Sequence, residues 1–501
     1  MELGLRRSLG YASLLGCALL LTLSPAAPSA LAADVLRASQ AAAPITFART
    51  CDAYGAGYFT LPGTDACLRV GGMVVEDLAL RHVPLSAFTP NPGSRLPASL
   101  SKAPTPPAFG GGGGVGATLE ARLPTEAGVI SGYVDATSVF GAGLLSPNAA
   151  GVYSQQANLT GYDVNAWRNF TRLDQAWLEF AGFTAGRAQS VFDFYADAYN
   201  LMPLRGSNAR TEMLAYRFSP TPGVLAALSL ENNRERRNLI GQSVDPAASA
   251  DYSGATIPDP VAALRVDTPF GLAQVSGAAH ELRTRYAAPP SVASGQPDEA
   301  ASTQWGFAAQ GGLKVNLPNL SDADAMILQA TYARGASAYL TGNNQPLFGG
   351  VNDPAHPGIA NPRLAASPGL TSFDYDCMTT GLPYGQCDPS SGYALVAAFK
   401  HFWTPTISST LFASFFGMNY ADPAKSGPAG VAGPSNYRES SVGANLTWTP
   451  LKNLMVGGEV AFTQGKTTPL APTAPTQAGS TTDWPTTTNE WSGRIRVQRN
   501  F

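Results

Sequence analysis

The chain ends with the stretch Trp491–Phe501, WSGRIRVQRNF, in which polar and apolar residues alternate. On an extended chain the two kinds fall on opposite faces: Arg494, Arg496 and Gln498 on one, Ile495, Val497 and Phe501 on the other. Such alternation predicts a strand that faces water on one side and apolar surroundings on the other. An aromatic last residue at the tip of such a strand is rare in soluble domains and common where a membrane barrel closes. The ending therefore predicts an all-β fold, a transmembrane antiparallel β-barrel, with Arg499, the exception to the pattern, at the periplasmic interface.

The composition favours a chain that crosses a membrane with strands rather than helices. Of the 501 residues, 13% are charged and 44% are hydrophobic, with 52 Gly and 40 Pro. Beyond the N-terminus no stretch has the roughly 18 apolar residues that a transmembrane helix needs. Strands that turn every second residue toward water explain how a chain with so little charge can lack long apolar runs.

Residues 1–32 have the pattern of an export signal. Arg6–Arg7 precede an apolar run over Ser8–Leu23, and Ala30–Ala32 offer a cleavage site of small residues. A lipoprotein site at Cys17 is less favoured because the apolar run continues past it. Without this signal the chain has 30 basic and 34 acidic residues, a net charge of −4. No basic stripe indicates a nucleic-acid partner.

Four cysteines remain after the signal, in two close pairs: Cys51 with Cys67, and Cys377 with Cys387. Four cysteines allow three pairings, but the short separations and an oxidising destination favour these two local disulfides. We expect residues 33–66 to form an N-terminal periplasmic segment with the first disulfide loop. Residues 67–501 would then form the barrel.

Alternation and β-branched or aromatic content predict about sixteen strands. They are 67–78, 115–123, 128–138, 172–181, 183–190, 211–219, 223–231, 260–268, 271–284, 303–316, 324–336, 391–403, 406–419, 437–448, 453–464 and 489–501. From the second strand on, every other link is short, as at 220–222, and the intervening links are long, as at 339–390. Short periplasmic turns and long external loops produce this alternation in a membrane barrel. Gly110–Gly114 is interpreted as part of a flexible external loop.

The two faces can be assigned in the clearer strands. Strand 303–316 places apolar side chains on one face and polar ones on the other: Trp305, Phe307, Ala309, Leu313 and Val315 against Gln304, Gln310, Lys314 and Asn316. We interpret the polar face as lining a water-filled lumen, since a soluble barrel of this size would need an apolar core. Trp403 and Trp448 precede short turns, where an interfacial aromatic girdle is expected.

Three parts of the chain carry a family resemblance. Cys51–Gly72, Leu173–Phe194 and the C-terminal stretches Val442–Thr463 and Trp491–Phe501 resemble the alphaproteobacterial porins, the general-diffusion porins of rhizobia and their relatives. The resemblance implies a homotrimer of sixteen-stranded barrels in the bacterial outer membrane, among lipid and lipopolysaccharide. Such a barrel passes small hydrophilic solutes and ions, needs no cofactor, and folds its third loop into the lumen.

The third long connection, 191–210, is therefore the candidate pore constriction. It carries Asp193 and Asp197 at one end and Arg205 and Arg210 at the other, and facing charges of opposite sign would set up a transverse field. Basic residues on faces assigned inward form the candidate pore wall: Arg69, Arg122, Arg187, Arg217, Arg494 and Arg496. The alternative is a solvated external loop whose charges have no specific role.

Motifs of enzymes are incomplete in this sequence. Gly465–Thr467 has the end of a phosphate-binding loop without its first glycine, and Asp322–Asp324 lacks the glycine and glutamate of a calcium loop. The four histidines are scattered, so no metal site is expected. We expect a passive channel rather than an enzyme. The rivals are a substrate-selective channel and a secreted all-β enzyme or adhesin, and the latter would have a polar exterior.

Overall fold

The computed structural model describes residues 50–82, 109–143, 168–242, 249–287, 302–341, 375–379, 387–420, 436–467 and 487–501. In this part of the chain almost all regular structure is β. In chain order the strands are β1 (Phe59–Thr60), β2 (Cys67–His82), β3 (Phe109–Thr125), β4 (Gly128–Gly143), β5 (Arg168–Phe180), β6 (Phe183–Gln189), β7 (Arg210–Thr221), β8 (Val224–Glu231), β9 (Leu239–Gln242), β10 (Ser249–Tyr252), β11 (Asp259–Thr268), β12 (Gly271–Ala287), β13 (Ser302–Asn316), β14 (Ala325–Arg334), β15 (Tyr375–Thr379), β16 (Cys387–Pro389), β17 (Ser391–Thr404), β18 (Ile407–Asn419), β19 (Tyr437–Leu451), β20 (Leu454–Thr467) and β21 (Thr487–Asn500). The helical segments are short: Asp52–Tyr54, Asn233–Arg236 and Ala338–Thr341. Among the described residues, no helix is both long and apolar enough to span a membrane.

Sixteen of these strands form one closed antiparallel barrel. Strands β2–β8, β11–β14 and β17–β21 pair in chain order, and β21 returns to β2. The closing pairing runs from Met73 opposite Asn500 to His82 opposite Trp491. The prediction that the last stretch is the closing strand of a sixteen-stranded barrel is therefore confirmed.

The barrel strands match the sixteen predicted ones, and most differences are extensions at the ends with long connections. The largest difference concerns Gly110–Gly114, for which the prediction of a flexible external loop is wrong. These glycines lie inside β3 and pair with β2 on one side and β4 on the other. At Gly113 a Cβ atom would lie only 2.1 Å from the carbonyl oxygen of Val75. Glycine there permits a close approach of two strands rather than flexibility.

The two ends of the barrel differ as the link lengths predicted. One end has tight turns, such as Ala181-Gly182 between β5 and β6, where both φ angles are positive. At the same end Arg499 donates to the carbonyl of Lys452, in the turn between β19 and β20. The one residue that breaks the alternation of the last strand therefore lies at the short-turn end, beyond the apolar part of the outer face. The strand ends that flank the long connections all lie at the opposite end, which we call the external end.

The outer face of the barrel is apolar. In β13, Trp305 and Phe307 are 54% and 47% exposed, whereas Gln310 on the inner face is 5% exposed. Trp403 and Trp448, next to short turns, are exposed on the outer face as well. The predicted outward apolar face and inward polar face of this strand are confirmed, and Leu446 and Asn445 show the same division in β19.

Additional structure at the external end joins two loops. Strand β15 pairs in parallel with β9 and antiparallel with β16, which gives a small three-stranded sheet. Cys377 and Cys387 link β15 to β16, and Cys51 and Cys67 link the N-terminal segment to the start of β2. Both predicted disulfides are therefore present.

The interior is not polar throughout, which corrects the expectation of a purely polar lumen. Small apolar residues on the inner face of β6–β19, among them Ala215, Ala308 and Ala394, are buried. Against them pack Phe192 from the β6–β7 connection and Tyr339 from the segment after β14. Because the wall side chains are small, larger apolar residues of the connections fill part of the barrel.

The closing seam contains a buried charge cluster. Asp77 of β2 accepts hydrogen bonds from Nε and Nη2 of Arg496 at 2.7 and 2.6 Å, and Nη1 of Arg494 lies 3.3 Å away. All three side chains are almost completely buried on the inner side. One carboxylate thus contacts two arginines where the first barrel strand meets the last.

Replacing Asp77 by Ala should lower the free energy of unfolding by about 3–5 kcal/mol, because two buried arginines would lose their counter-ion. Urea unfolding in detergent, followed by tryptophan fluorescence, measures the change. Asp267→Ala, at an exposed inward carboxylate of β11, is the control and should have a small effect. Equal stability of the two variants would contradict a role for Asp77 in closure.

Candidate functional site

The connection between β6 and β7, residues 190–209, lies against the inner face of the barrel; we call it loop 3. Near its start, the carbonyl of Phe192 accepts hydrogen bonds from Ser276 Oγ at 2.8 Å and Gln310 Nε2 at 2.7 Å. The amide of Tyr195 donates to Gln329 Oε1 at 2.9 Å. Strands β12, β13 and β14 therefore hold the first half of loop 3.

The second half of loop 3 is held by strands on the far side of the closing seam. The amides of Leu201 and Met202 donate to the two oxygens of Glu459 at 2.6 and 2.7 Å. Arg494 Nη1 donates to the carbonyl of Leu201 at 2.7 Å, and Asn445 donates to that of Tyr199. Loop 3 thus extends inside the barrel from β6 to β20 and β21.

The two acidic residues of loop 3 are buried and organise the loop itself. Asp193 accepts from the amide of Ala209 at 2.7 Å and lies 3.3 Å from Nη2 of Arg236. Asp197 has a positive φ of 57° and accepts from the amide of Leu204 and the side chain of Asn200, each at 2.9 Å. Neither carboxylate is presented to the lumen as a free charge.

The two predicted basic residues of the constriction are also paired. Arg205 contacts Glu439 of β19, with Nη2 3.1 Å from Oε2, and its guanidinium stacks over Phe416. Arg210 lies with Nε 2.8 Å from Oδ2 of Asp174 in β5. The four residues expected to face each other across a constriction are thus each matched locally, which differs from the predicted arrangement.

Five of the six predicted wall arginines have inward positions. Arg494 and Arg496 belong to the buried seam cluster. Arg69 and Arg122 both contact Glu120, and Arg122 also donates to Ser131 at 2.7 Å. Arg217 lies on the inner face of β7 and donates to Thr184 at 2.6 Å.

Arg187 lies on the outer face, so its inward assignment is wrong. It is opposite Glu212 in β7, in the same outward row as Ala185 and the exposed Leu214. Its guanidinium forms an ion pair with Glu235 above the short strand β6. A displacement of one residue reverses the facing of a strand, and β6 is too short and too rich in small residues to indicate its own register.

Further inward-facing basic residues were missed by the sequence-based choice of wall residues, among them Arg265, Lys314 and Lys400. Lys314 had been assigned to the polar face of its strand, and Arg265 and Lys400 lie in predicted strands with inward parity. The ammonium of Lys400 lies 5.4 Å from the ring of Tyr199 in loop 3 and 5.2 Å from that of Phe402. Their odd or even position in each strand could have identified them as inward-facing, but the sequence does not show that their side chains are exposed within the lumen.

Two buried carboxylates tie the external loops together. Asp376 of β15 accepts from the amides of Asn238 and Ser337 at 2.6 and 2.7 Å, and from the hydroxyl of Tyr252 at 2.5 Å. Burial and the neighbouring Asp376 raise the pKa of Tyr252 well above its usual value, so its hydroxyl remains a donor. Asp259 likewise accepts from the hydroxyl of Tyr339 at 2.8 Å.

The interior offers a polar path, charged walls and an anchored loop. Among the described residues no group of His, Cys, Asp and Glu could hold a metal ion. The model of the porin subfamily matches residues 38–493. The chain belongs to the porin subfamily. This agrees with the resemblance carried by the cysteine-paired N-terminal stretch and the closing strand.

Individual relatives within the porin family are distant. Porin Omp2b of Brucella melitensis is 28% identical over 41% of this chain and 50% of its own length, and Porin Omp2a of the same organism is 28% identical over 42% and 53%. The chain thus spans about half the length of the relatives that it matches. Among solved structures, the outer membrane channel DcaP of Acinetobacter baumannii is similar in fold, with a TM-score of 0.53 at 13% identity over 87% of this chain and 97% of that one.

The anchoring of loop 3 makes a testable prediction. Glu459→Ala removes the acceptor of two buried amides, each such bond to a charged group contributing about 1.5–3 kcal/mol. Hydrogen exchange at Leu201 and Met202 should therefore become about tenfold faster or more, as measured by mass spectrometry in detergent. The control is Glu179→Ala, at an exposed carboxylate of β5. Unchanged exchange in Glu459→Ala would show that other contacts hold the loop.

Proposed function

We propose that the protein is an outer-membrane porin that forms a channel for passive diffusion of small hydrophilic solutes and ions. One observation carries the proposal: a closed barrel has an apolar outer face, and a loop inside it is anchored to polar groups of the wall. The outer face suits hydrocarbon, and closure leaves each barrel strand paired on both sides. The anchored loop narrows the lumen without needing a cofactor.

Within this channel, loop 3 provides the constriction. The role of Asp193, Asp197 and Arg205 is then to fix the shape of the loop, because the charge of each is buried and matched. Arg210, in β7, is only partly buried and is matched to Asp174 of β5. Side chains on the free side of the loop, such as the half-buried Tyr199, define the narrow passage. Size exclusion follows from how firmly the loop is held, since a mobile loop would not give a constant opening.

We propose that the export signal is cleaved from the N-terminus and that the segment after it stays in the periplasm. Residues 1–32, which lie outside the described residues, would be removed as an export signal. The segment 33–66 would then precede the barrel. In its described part, Cys51 is bonded to Cys67 and Phe59 pairs with Leu68, at the short-turn end of β2. This location supports a periplasmic position, because the short turns of such barrels face the periplasm.

The proposed channel is a homotrimer in contact with lipid and lipopolysaccharide, and one outward residue supports contact between copies. Glu76 lies near the middle of β2 on the outer face and is exposed. A carboxylate that faces lipid lowers the stability of a barrel. Its cost is smaller than that of a basic residue at the middle of the bilayer, which is about 2–4 kcal/mol. Around it the outer face has Gly111 and Gly113, and Thr171 donates to Ser138. Small and polar residues suit another protein surface better than lipid.

A second candidate is a substrate-selective channel. The apolar residues that fill part of the barrel, including Phe192, Tyr339 and Phe416, favour it because they leave a passage narrower than the barrel itself. A selective channel would show saturable block of its conductance by one class of solute. A general diffusion channel would pass many solutes according to size.

Planar-bilayer recording tests the channel directly. The purified protein should give stable ohmic steps, and Tyr199→Ala should raise the single-channel conductance because it removes a ring beside the passage. Tyr332→Ala, at an exposed tyrosine of the outer face, is the matched control and should conduct like the unmodified protein. Absence of conductance from the folded protein would exclude the channel.

The trimer is tested by mass in detergent solution. Glu76→Arg should reduce the trimeric fraction seen by light scattering after size-exclusion chromatography, because a larger cation would replace a carboxylate at the contact. Lys466→Glu, an exposed charge change on the outer face at the external end of β20, should leave the trimer intact. An unaltered trimer in Glu76→Arg would place the contact elsewhere.

A further inference from the structure

The barrel wall carries an arc of basic residues near its short-turn end. The arc occupies every second strand over half of the barrel, on β7, β11, β13 and β17. Its members are Arg217, Arg265, Lys314 and Lys400. Each has inward parity in its strand, and Arg265 is exposed while the other three are partly exposed. We call these four residues the basic arc.

The register places the basic arc at one height in the barrel. The row of paired residues from Arg265 reaches β13 at Gly312, and Lys314 lies two residues further toward the short turns. The row from Lys314 reaches β17 at Ala398, and Lys400 lies two residues further in the same direction. Arg217 relates to Arg265 by the same two-residue step.

This step compensates for the stagger of the strands. In a barrel the strands tilt, so a row of paired residues climbs from one end toward the other. The row from Arg265, three residues from the short-turn end of β11, reaches Thr463, close to the external end of β20. Each member of the basic arc lies two residues closer to the short turns than the row of paired residues from the member before it. This offset keeps all four members at about the same height along the barrel axis. From the strand spacing and the rise per residue, the Cα atoms of neighbouring members are about 12 Å apart.

The charges of the basic arc are not neutralised locally. Within the described part of the chain, none of the four cationic groups lies within 4.0 Å of a carboxylate. Two inward carboxylates, Glu179 and Asp267, lie at the same end of the barrel and are outnumbered. On the opposite wall, Arg69 and Arg122 share the single carboxylate of Glu120. The loop above contributes little, because its acids and arginines are matched.

We propose that the basic arc makes the channel prefer small anions. This inference rests on the proposed channel function and adds its substrate class. Cationic residues whose Cα atoms lie about 12 Å apart, in a lumen bounded by low-dielectric walls, produce overlapping positive potentials, which concentrate anions and exclude cations. Lys400 lies beside Tyr199 of loop 3, so the potential is positive directly below the constriction. Anions leaving the narrow passage meet the arc at once.

Reversal potentials in a potassium chloride gradient test the proposal. The unmodified protein should be more permeable to chloride than to potassium, and the triple variant Arg265→Gln, Lys314→Gln, Lys400→Gln should lower this ratio about two- to fivefold near 0.1 M salt. Arg217 is left unchanged because it also bonds to Thr184. At 1 M salt the difference should shrink, because the Debye length falls to about 3 Å.

The matched control is Lys452→Gln, which removes one exposed positive charge from the turn between β19 and β20, outside the lumen. It should keep the ratio of the unmodified protein. A cation-preferring unmodified channel, or a triple variant with an unchanged ratio, would overturn the anion preference while leaving the channel function intact. Failure of the unmodified protein to conduct would overturn both, and is distinguished by the absence of any current steps.

Discussion

Backbone pairing in an apolar medium is the constraint on which this structure depends. Hydrocarbon offers no partner to an unpaired N–H or C=O group, so a sheet within it must close on itself. Here the closure joins β2 to β21, strands that lie more than four hundred residues apart in the sequence. Asp77, Arg494 and Arg496 lie inside that seam, and Arg494 also holds the carbonyl of Leu201. The contact that closes the barrel is therefore continuous with the contact that holds loop 3.

The size of the inward side chains decides how the interior is used. Alanines such as Ala308 and Ala394 on the inner wall leave space that loop 3 and the segment after β14 fill with Phe192 and Tyr339. Where the wall carries longer polar side chains, such as Gln310 and Glu459, they bind the loop backbone instead. The inner face of the barrel thus has two kinds of region. In one, small apolar wall residues are packed against the connections, and in the other, polar wall residues bind the backbone of loop 3.

Periodicity and turns were enough to predict the strands, because both are local properties of the chain. The closing strand, the sixteen-strand count and the outward face of Trp305 all follow from a period of two. Gly110–Gly114 was misassigned because the pairing on both sides of β3, a non-local interaction, overrides the flexibility of glycine. Arg187 was misassigned because β6 has too few large residues to show its facing. The candidate constriction was predicted only in position, since the burial of Asp193 depends on a distant residue, Arg236.

Charge type alone therefore gives a poor account of a channel interior, because what acts on a passing ion is the charge left after local matching. Arg205 and Glu439 cancel within one buried pair, and Asp193 of loop 3 is matched by Arg236. Lys314 and Lys400 have inward parity but no matched carboxylate in the described part of the chain. Matched groups fix the shape of the passage, and unmatched groups fix its potential. In this barrel the two tasks fall on different residues, so shape and ion preference can be altered separately.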